Sequence, residues 1–332
     1  MDHDMAEDSK TTRPEEADLV FNIVWTGTTF GTLHPFATSL LDQSQARFRF
    51  VANACPADEV NAMRRYADGA GDRVVEVFEV SSEDMLRHGT ALDRVLDERD
   101  DGEHFCFIDP DILARGPWVP TLAATLTEHS ATTSGRELWS DHNVRPADHP
   151  GVNGEYFFDV DGFTFGSPHL AAYQRDVILA TRQRWHVGFG ATGNDLTAET
   201  RRHLDEAGRG YWVYDTAKVM NILLQLDGHS LVHQENDQIL HIGGVAHYLA
   251  PPSTAPAAAA RTPRWGEGPD WGETPAMRAR HGLASYTANL MTSLAAGLPA
   301  GDLPATTNPA MQARYALVRD ALIALFDNPG AR

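Results

Sequence analysis

The succession of short apolar runs and longer amphipathic runs constrains this chain more than any other feature. LVFNIVW (19–25), FRFVANA (48–54), RVVEVFEV (73–80) and HFCFIDPDI (104–112) read as strands. Between them, HPFATSLLDQSQ (34–45), ADEVNAMRRYADGAG (57–71) and HGTALDRVLDERDDG (88–102) read as helices, the last two running into Gly. Strand alternating with helix at this spacing predicts an α/β fold, an open, mostly parallel sheet with helices on both faces. Ligands of such sheets bind beyond the carboxyl ends of the strands, so the loops to watch are 26–32, 53–56 and 109–111.

The strongest local signal lies in the last of these loops. Asp109-Pro110-Asp111 follows the apolar HFCFI directly, so two carboxylates one residue apart project in extended geometry from the strand end into the crevice. Hard oxygen donors of this kind suit Mn2+ or Mg2+ holding a diphosphate, and the proline stiffens the backbone between them. Taken alone, the same three residues also describe a solvated turn.

Beyond GPWVPTLAATLTEHS, read as a helix, the pattern loosens. A polar loop (139–155) and FFDVDGFTFG precede an expected helix PHLAAYQRDVILATRQ (168–183), a Gly-rich stretch, helices over 197–208 and 215–228, and a strand-like QILHIGG (238–244). PPSTAPAAAART (251–262) is low in complexity and reads as a linker. PAMQARYALVRDALIALF (309–326) is an amphipathic helix that must bury its apolar face on the main body or on a second copy, through which a homodimer would form.

Charge narrows the function classes. Against 27 Lys and Arg stand 46 Asp and Glu, a formal net charge of −19. A nucleic-acid or anionic-membrane partner needs a basic face or a polybasic run, and neither is present. No run approaches a spanning helix, and the acidic, polar start is the reverse of a signal peptide, so the expectation is a soluble, cytoplasmic protein. Cys55 and Cys106 sit in apolar runs and read as small core residues.

The segment HGTALDRVLDERDDGEHFCFIDPDI resembles the GT-A fold nucleotide-sugar glycosyltransferases, in which a helix containing Gly and Ala precedes a strand ending in Asp-X-Asp. YDTAKVMNILLQLDGHSLVHQENDQILHIGG looks like the second half of the family 2 pattern, with Asp215 opening a helix, Gly228 ending it, and His241 before a glycine pair. Where the family usually has an acidic dipeptide this chain has Tyr214-Asp215, and Asn53 stands where an Asp is common. The resemblance covers about residues 19–249. It implies a metal-dependent transfer of a sugar from a nucleoside diphosphate, UDP in the first instance, to a hydroxyl or amine of a small-molecule or glycan acceptor, a hexosyltransferase type of activity. Asp109, Asp111 and His241 would then hold the metal and Asp215 would act as the base of an inverting reaction. A retaining enzyme would use the same metal site. The domain expectation is a disordered acidic segment over 1–17 and a catalytic domain over 18–250, with a nucleotide-sugar half 18–138 and an acceptor half 139–250. A linker over 251–264 and a helical appendage over 265–332 would follow.

Within that frame Thr26, Gly27 and Thr28 are placed to meet the base or ribose, with Asn53 beside them. His88, Gly89, Leu92 and Asp93 lie on the helix feeding the metal strand, and Gly243 would let the backbone approach the diphosphate. Each also has a plain reading: a strand-end turn, an exposed helical Asp, an N-cap at Asp215, a core histidine at His241. GFGATG (188–193) matches the dinucleotide fingerprint literally but follows TRQRWHV rather than a buried strand. With Trp185 and Asp195 it reads better as an acceptor-side loop. A sugar-nucleotide pyrophosphorylase would place a lysine in the early Gly-rich loop, and the chain has lysines only at 10 and 218. A carbohydrate-binding protein without turnover is the non-enzymatic alternative.

Overall fold

The computed structural model describes residues 13–140, 143–147, 152–154, 156–249 and 275–327. Residues 1–12 of the acidic start and the stretch read as a linker lie outside them.

In chain order the strands are β1 (Val20–Thr26), β2 (Arg47–Asn53), β3 (Val74–Ser81), β4 (His104–Ile108), β5 (Ile112–Ala114), β6 (Ala131–Ser134), β7 (Val144–Arg145), β8 (Val152–Asn153), β9 (Phe158–Asp159), β10 (Leu170–Gln174), β11 (Val213–Tyr214), β12 (Leu231–His233) and β13 (Ile239–His241). The α-helices are α1 (Phe30–Asp42), α2 (Ala57–Ala70), α3 (His88–Glu98), α4 (Val119–Thr125), α5 (Arg175–Trp185), α6 (Ala198–Glu206), α7 (Lys218–Leu226), α8 (Val245–Leu249), α9 (Pro275–Ala295) and α10 (Pro309–Asp327). Seven strands form one sheet in the order β12-β6-β10-β4-β1-β2-β3. Every neighbouring pair is parallel except the two made by β10, which runs against both β4 and β6. The fold is thus the expected α/β class, an open, mostly parallel sheet with helices on both faces.

Alternation along the strands builds the two layers. Phe21, Ile23 and Trp25 of β1, with Phe48 and Phe50 of β2, face a core shared with α1 and α2. Val24, Val51, Phe105 and Phe107 face the opposite core, shared with α3, α5 and α7. The C-terminal helices close the first core: Leu283 and Met291 of α9, and Val318 and Leu322 of α10, are buried in it. The apolar face of α10 is therefore covered by its own chain. Among the described residues no helix is long and apolar enough to cross a membrane.

Two elements differ from the sequence reading. The strand expected to run through Asp109-Pro110-Asp111 stops at Ile108, and the three residues form a turn in which the Ile112 amide donates to the Asp109 carbonyl at 3.4 Å. The carboxylate pair therefore leaves β4 on a bend rather than in extended geometry, and β5 starts afresh to pair antiparallel with β13. The helix expected over 168–183 splits into β10 and α5. LAAYQ is buried on both faces between β4 and β6, and a strand buried on both faces shows no alternation to distinguish it from helix.

Candidate functional site

Strand pairing gathers the site. Because β10 is antiparallel, its N-terminal end lies at the carboxyl end of β4, and the Asp109 amide donates to the His169 carbonyl at 2.7 Å. The β5–β13 ladder sets His241 opposite Ile112, and Glu137 bridges to His241, with the Leu138 amide donating to the His241 carbonyl at 2.9 Å. Four separate segments thus deliver Asp109, Asp111, Glu137, His169 and His241 to one place.

The side chains interlock. His169 Nδ1 lies 3.0 Å from Asp109 Oδ2, and its Nε2 is hydrogen-bonded to Glu137. His241 Nε2 is 3.9 Å from Asp109 Oδ2 and 3.3 Å from Asp111 Oδ1, and the two imidazole rings are 4.3 Å apart. Asp111 Oδ2 accepts from the Val245 amide at 2.8 Å. His88, at the start of α3, brings its Nε2 within 3.7 Å of Asp109 Oδ1. Asp111, Glu137 and His241 are buried, whereas the Asp109 side chain keeps 21% of its surface, so the cluster opens to solvent at Asp109.

The electrostatics follow from this crowding. Among the described residues, the ion pairs of Asp109, Asp111 and Glu137 are all with histidines. Burial alone would depress the basicity of His169, but Glu137 and Asp109 outweigh it and push the imidazole up to about 10. Burial would raise the Glu137 carboxyl, yet the charge of His169 holds it at about 2. Asp111 is likewise held below the usual carboxylate range, with His241 outweighing burial. Three carboxylates packed in this way need a positive charge among them, supplied either by a proton on His169 or by a cation. Asp109, His169 and His241 each offer a donor atom, all within 4.8 Å of one another, and such a donor set fits a divalent cation.

The glycine pair after β13 has a steric reason. Gly243 has φ +77°, and a Cβ there would sit 2.7 Å from Trp139 Nε1 and 2.8 Å from the Glu137 side chain. The other residues expected at the donor side are placed as follows. Thr26, Gly27 and Thr28 form the turn after β1, closed by Thr29 Oγ1 donating to the Thr26 carbonyl at 2.9 Å, with Thr28 exposed. Asn53 is buried, with its amide paired to the Leu86 backbone at 2.9 Å in both directions. Leu92 is core. Asp93 accepts from the Phe189 and Gly190 amides at 2.7 and 3.1 Å, and burial raises its pKa. Gly89 abuts the Phe189 carbonyl, so no larger residue fits. Asp93 and Gly89 thus fasten α3 to the Gly-rich loop.

On the other side, Trp185 is buried, stacks on His203 at 4.4 Å and donates Nε1 to Asp227 at 2.9 Å. Asp195 is exposed and accepts from the Thr192 amide at 2.6 Å. Asp215 is half-buried, its carboxylate accepting from the Thr216 amide at 2.7 Å. Its amide donates to the Asn153 carbonyl at 3.0 Å. It does not cap α7, which starts after Ala217 at φ +66°.

Sequence reasoning missed Glu137, His169 and Lys218. His169 has no motif around it; only the antiparallel insertion of β10 carries it to Asp109. Lys218 is fully buried, its Nζ donating to the Tyr156 carbonyl at 2.8 Å and to the Gly166 carbonyl. Burial pushes it down to about 7 against the opposing pull of Asp215 and Glu137.

No family model matches the sequence, and no curated protein matches it. Solved structures similar to it include a mannosyltransferase from Pyrobaculum calidifontis in complex with GDP-Man and Mn2+. That likeness has 19% identity over 93% of this chain and 87% of the other, with a TM-score of 0.35. GalNAc-T7 with UDP, GalNAc and Mn2+ is 10% identical over 86% of this chain and 52% of its own, with a TM-score of 0.44. A 4-diphosphocytidyl-2C-methyl-D-erythritol synthase from Anaerococcus prevotii is 9% identical over 67% of this chain and 89% of its own, with a TM-score of 0.37.

Proposed function

We propose that this chain is a metal-dependent glycosyltransferase that moves a sugar from a nucleoside diphosphate, UDP in the first instance, to a hydroxyl or amine acceptor. The observation that carries the reading is the convergence of Asp109, His169 and His241, with Asp111 behind them, at the carboxyl end of the parallel strands. That end of an open α/β sheet is where ligands bind. Asp109 keeps 21% of its side-chain surface open to solvent, while Asp111 and His241 are buried behind it.

Asp109 and His241 would hold a divalent cation, with Asp111 fixing the His241 ring. A cation there supplies charge to the diphosphate leaving group, which grows more negative as the glycosidic bond breaks. In the turn after β1, exposed at Thr28, hydroxyl and backbone groups would meet the nucleoside. Asp215, half-buried and with one oxygen on the Thr216 amide, is the proposed base that takes the acceptor proton in an inverting reaction. Trp212, 66% exposed and three residues before Asp215, presents an aromatic face on which an acceptor sugar can stack. In the pyrophosphorylase alternative a lysine must reach the phosphates; Lys218 instead has its Nζ bonded to two buried carbonyls.

The test is a donor screen with Asp109→Asn and Asp215→Asn. Asp109→Asn abolishes turnover and Asp215→Asn lowers kcat by about 100-fold or more, the ordinary worth of a general base. The anomeric configuration of the product, read by NMR, is inverted. Nearly intact turnover in Asp215→Asn would overturn the inverting mechanism, and consumption of sugar 1-phosphate with nucleoside triphosphate would overturn the transferase reading.

A further inference from the structure

We infer that His169 is itself a metal ligand through Nδ1, with Glu137 as the carboxylate that orients it, so that two imidazoles and one carboxylate select a first-row transition ion over Mg2+ or Ca2+. The inference deepens the proposed metal-dependent reading and rests on it only for the identity of the ligand the ion would hold.

Three observations carry it. His169 Nδ1 lies 3.0 Å from Asp109 Oδ2, closer than the His241 nitrogen at 3.9 Å, and its donor atom belongs to the same compact set. Its other nitrogen is bonded to Glu137, a buried carboxylate held by the backbone bridge to His241. A histidine that offers one nitrogen to a metal commonly anchors the other on a carboxylate, which fixes ring orientation and tautomer. Third, Asp111 is already committed, one oxygen on the Val245 amide and the other beside His241, and it falls outside the compact set. The sequence motif alone gives a site dominated by hard oxygens; the folded chain exchanges one of them for a nitrogen. Imidazole favours transition ions, and affinities rise from Mn2+ through Fe2+ to Co2+, whereas Mg2+ and Ca2+ prefer oxygen.

The experiment uses the full chain and metal alone. Pulsed electron paramagnetic resonance of bound Mn2+ counts nitrogen ligands in the wild-type protein, and two imidazole couplings are expected. His169→Gln, whose side-chain amide can still donate to Glu137, loses one coupling and weakens Mn2+ by at least about tenfold in calorimetric titration. Glu137→Gln keeps both couplings and weakens Mn2+ about 10- to 100-fold. A tenfold excess of Mg2+ leaves Mn2+ in place. A single nitrogen coupling in the wild type, absence of Mn2+ binding, displacement by equimolar Mg2+, or unchanged affinity in a folded His169→Gln would overturn the inference. Because the wild-type spectrum needs no variant, misfolding of a mutant does not shield it. Titrating UDP, GDP and dTDP into the same samples separates the two claims. Two nitrogens without nucleotide binding sink the glycosyltransferase reading alone, and nucleotide binding with one nitrogen sinks the His169 assignment alone.

Discussion

Lys218 shows at the scale of one residue what burial does to a charge. Its folded pKa of about 7 lies below the ordinary lysine value, so between about pH 7 and 10.5 the unfolded chain holds a proton that the folded chain lacks. Stability must therefore rise with pH across that window, by at most about 1.4 kcal/mol per pH unit, and below pH 7 the desolvation penalty is present in full. In Lys218→Met that slope disappears: chemical denaturation at several pH values should show the stability of wild type relative to the variant climbing from pH 7 to 10.5, and a flat difference would contradict the burial account. If an acceptor sugar stacks on Trp212 as proposed, Trp212→Ala should raise KM for the acceptor while leaving KM for the donor unchanged, as measured by steady-state kinetics. Gly243→Ala places a methyl where Trp139 and Glu137 already sit and holds a non-glycine residue at φ +77°; a loss of about 1–3 kcal/mol is expected in the same denaturation assay.

Legibility changed from one element to the next. β1 to β4 and the helices between them were readable because helical period and short apolar runs alternate there, Asp109 and Asp111 stood out through residue type and placement at a strand end, and His241 through the resemblance carried by its glycine pair. β10 was not readable: LAAYQ, buried on both faces and followed without a break by α5, carries a helix-like pattern. With β10 went His169, whose place beside Asp109 depends on an antiparallel neighbour 60 residues away in sequence. Asp93, expected from the sequence to accept from a sugar or ribose hydroxyl or to be an exposed helical Asp, accepts from the Phe189 and Gly190 amides and so fastens α3 to the Gly188–Gly190 segment. Asp93→Ala leaves two part-buried amides without an acceptor and should cost about 1–3 kcal/mol. Hydrogen exchange at Phe189 and Gly190 should accelerate relative to the rest of α3 and the loop, and unchanged protection would contradict that role.

For the whole molecule, the described C-terminal helices belong to the same core as β1 and α1 and close one face of the sheet. Leu322→Ala on α10 should then destabilise the entire chain in one transition by about 2–5 kcal/mol, measured by denaturant unfolding; a separate low-stability transition for the helices would contradict a shared core. The opposite face carries α3, α5 and α7, which deliver His88, the Gly-rich loop and Lys218 around the strand ends. If this end of the sheet is, as proposed, a metal-dependent nucleotide-sugar site, the thermal stability of wild type and Asp109→Asn with UDP, GDP and dTDP, each with and without Mn2+, will report it, because a ligand that binds only the folded state raises apparent stability by mass action. One nucleotide should raise Tm only when Mn2+ is present, and the rise should vanish in Asp109→Asn. No shift with any nucleotide, or an equal shift in the variant, would contradict the claim.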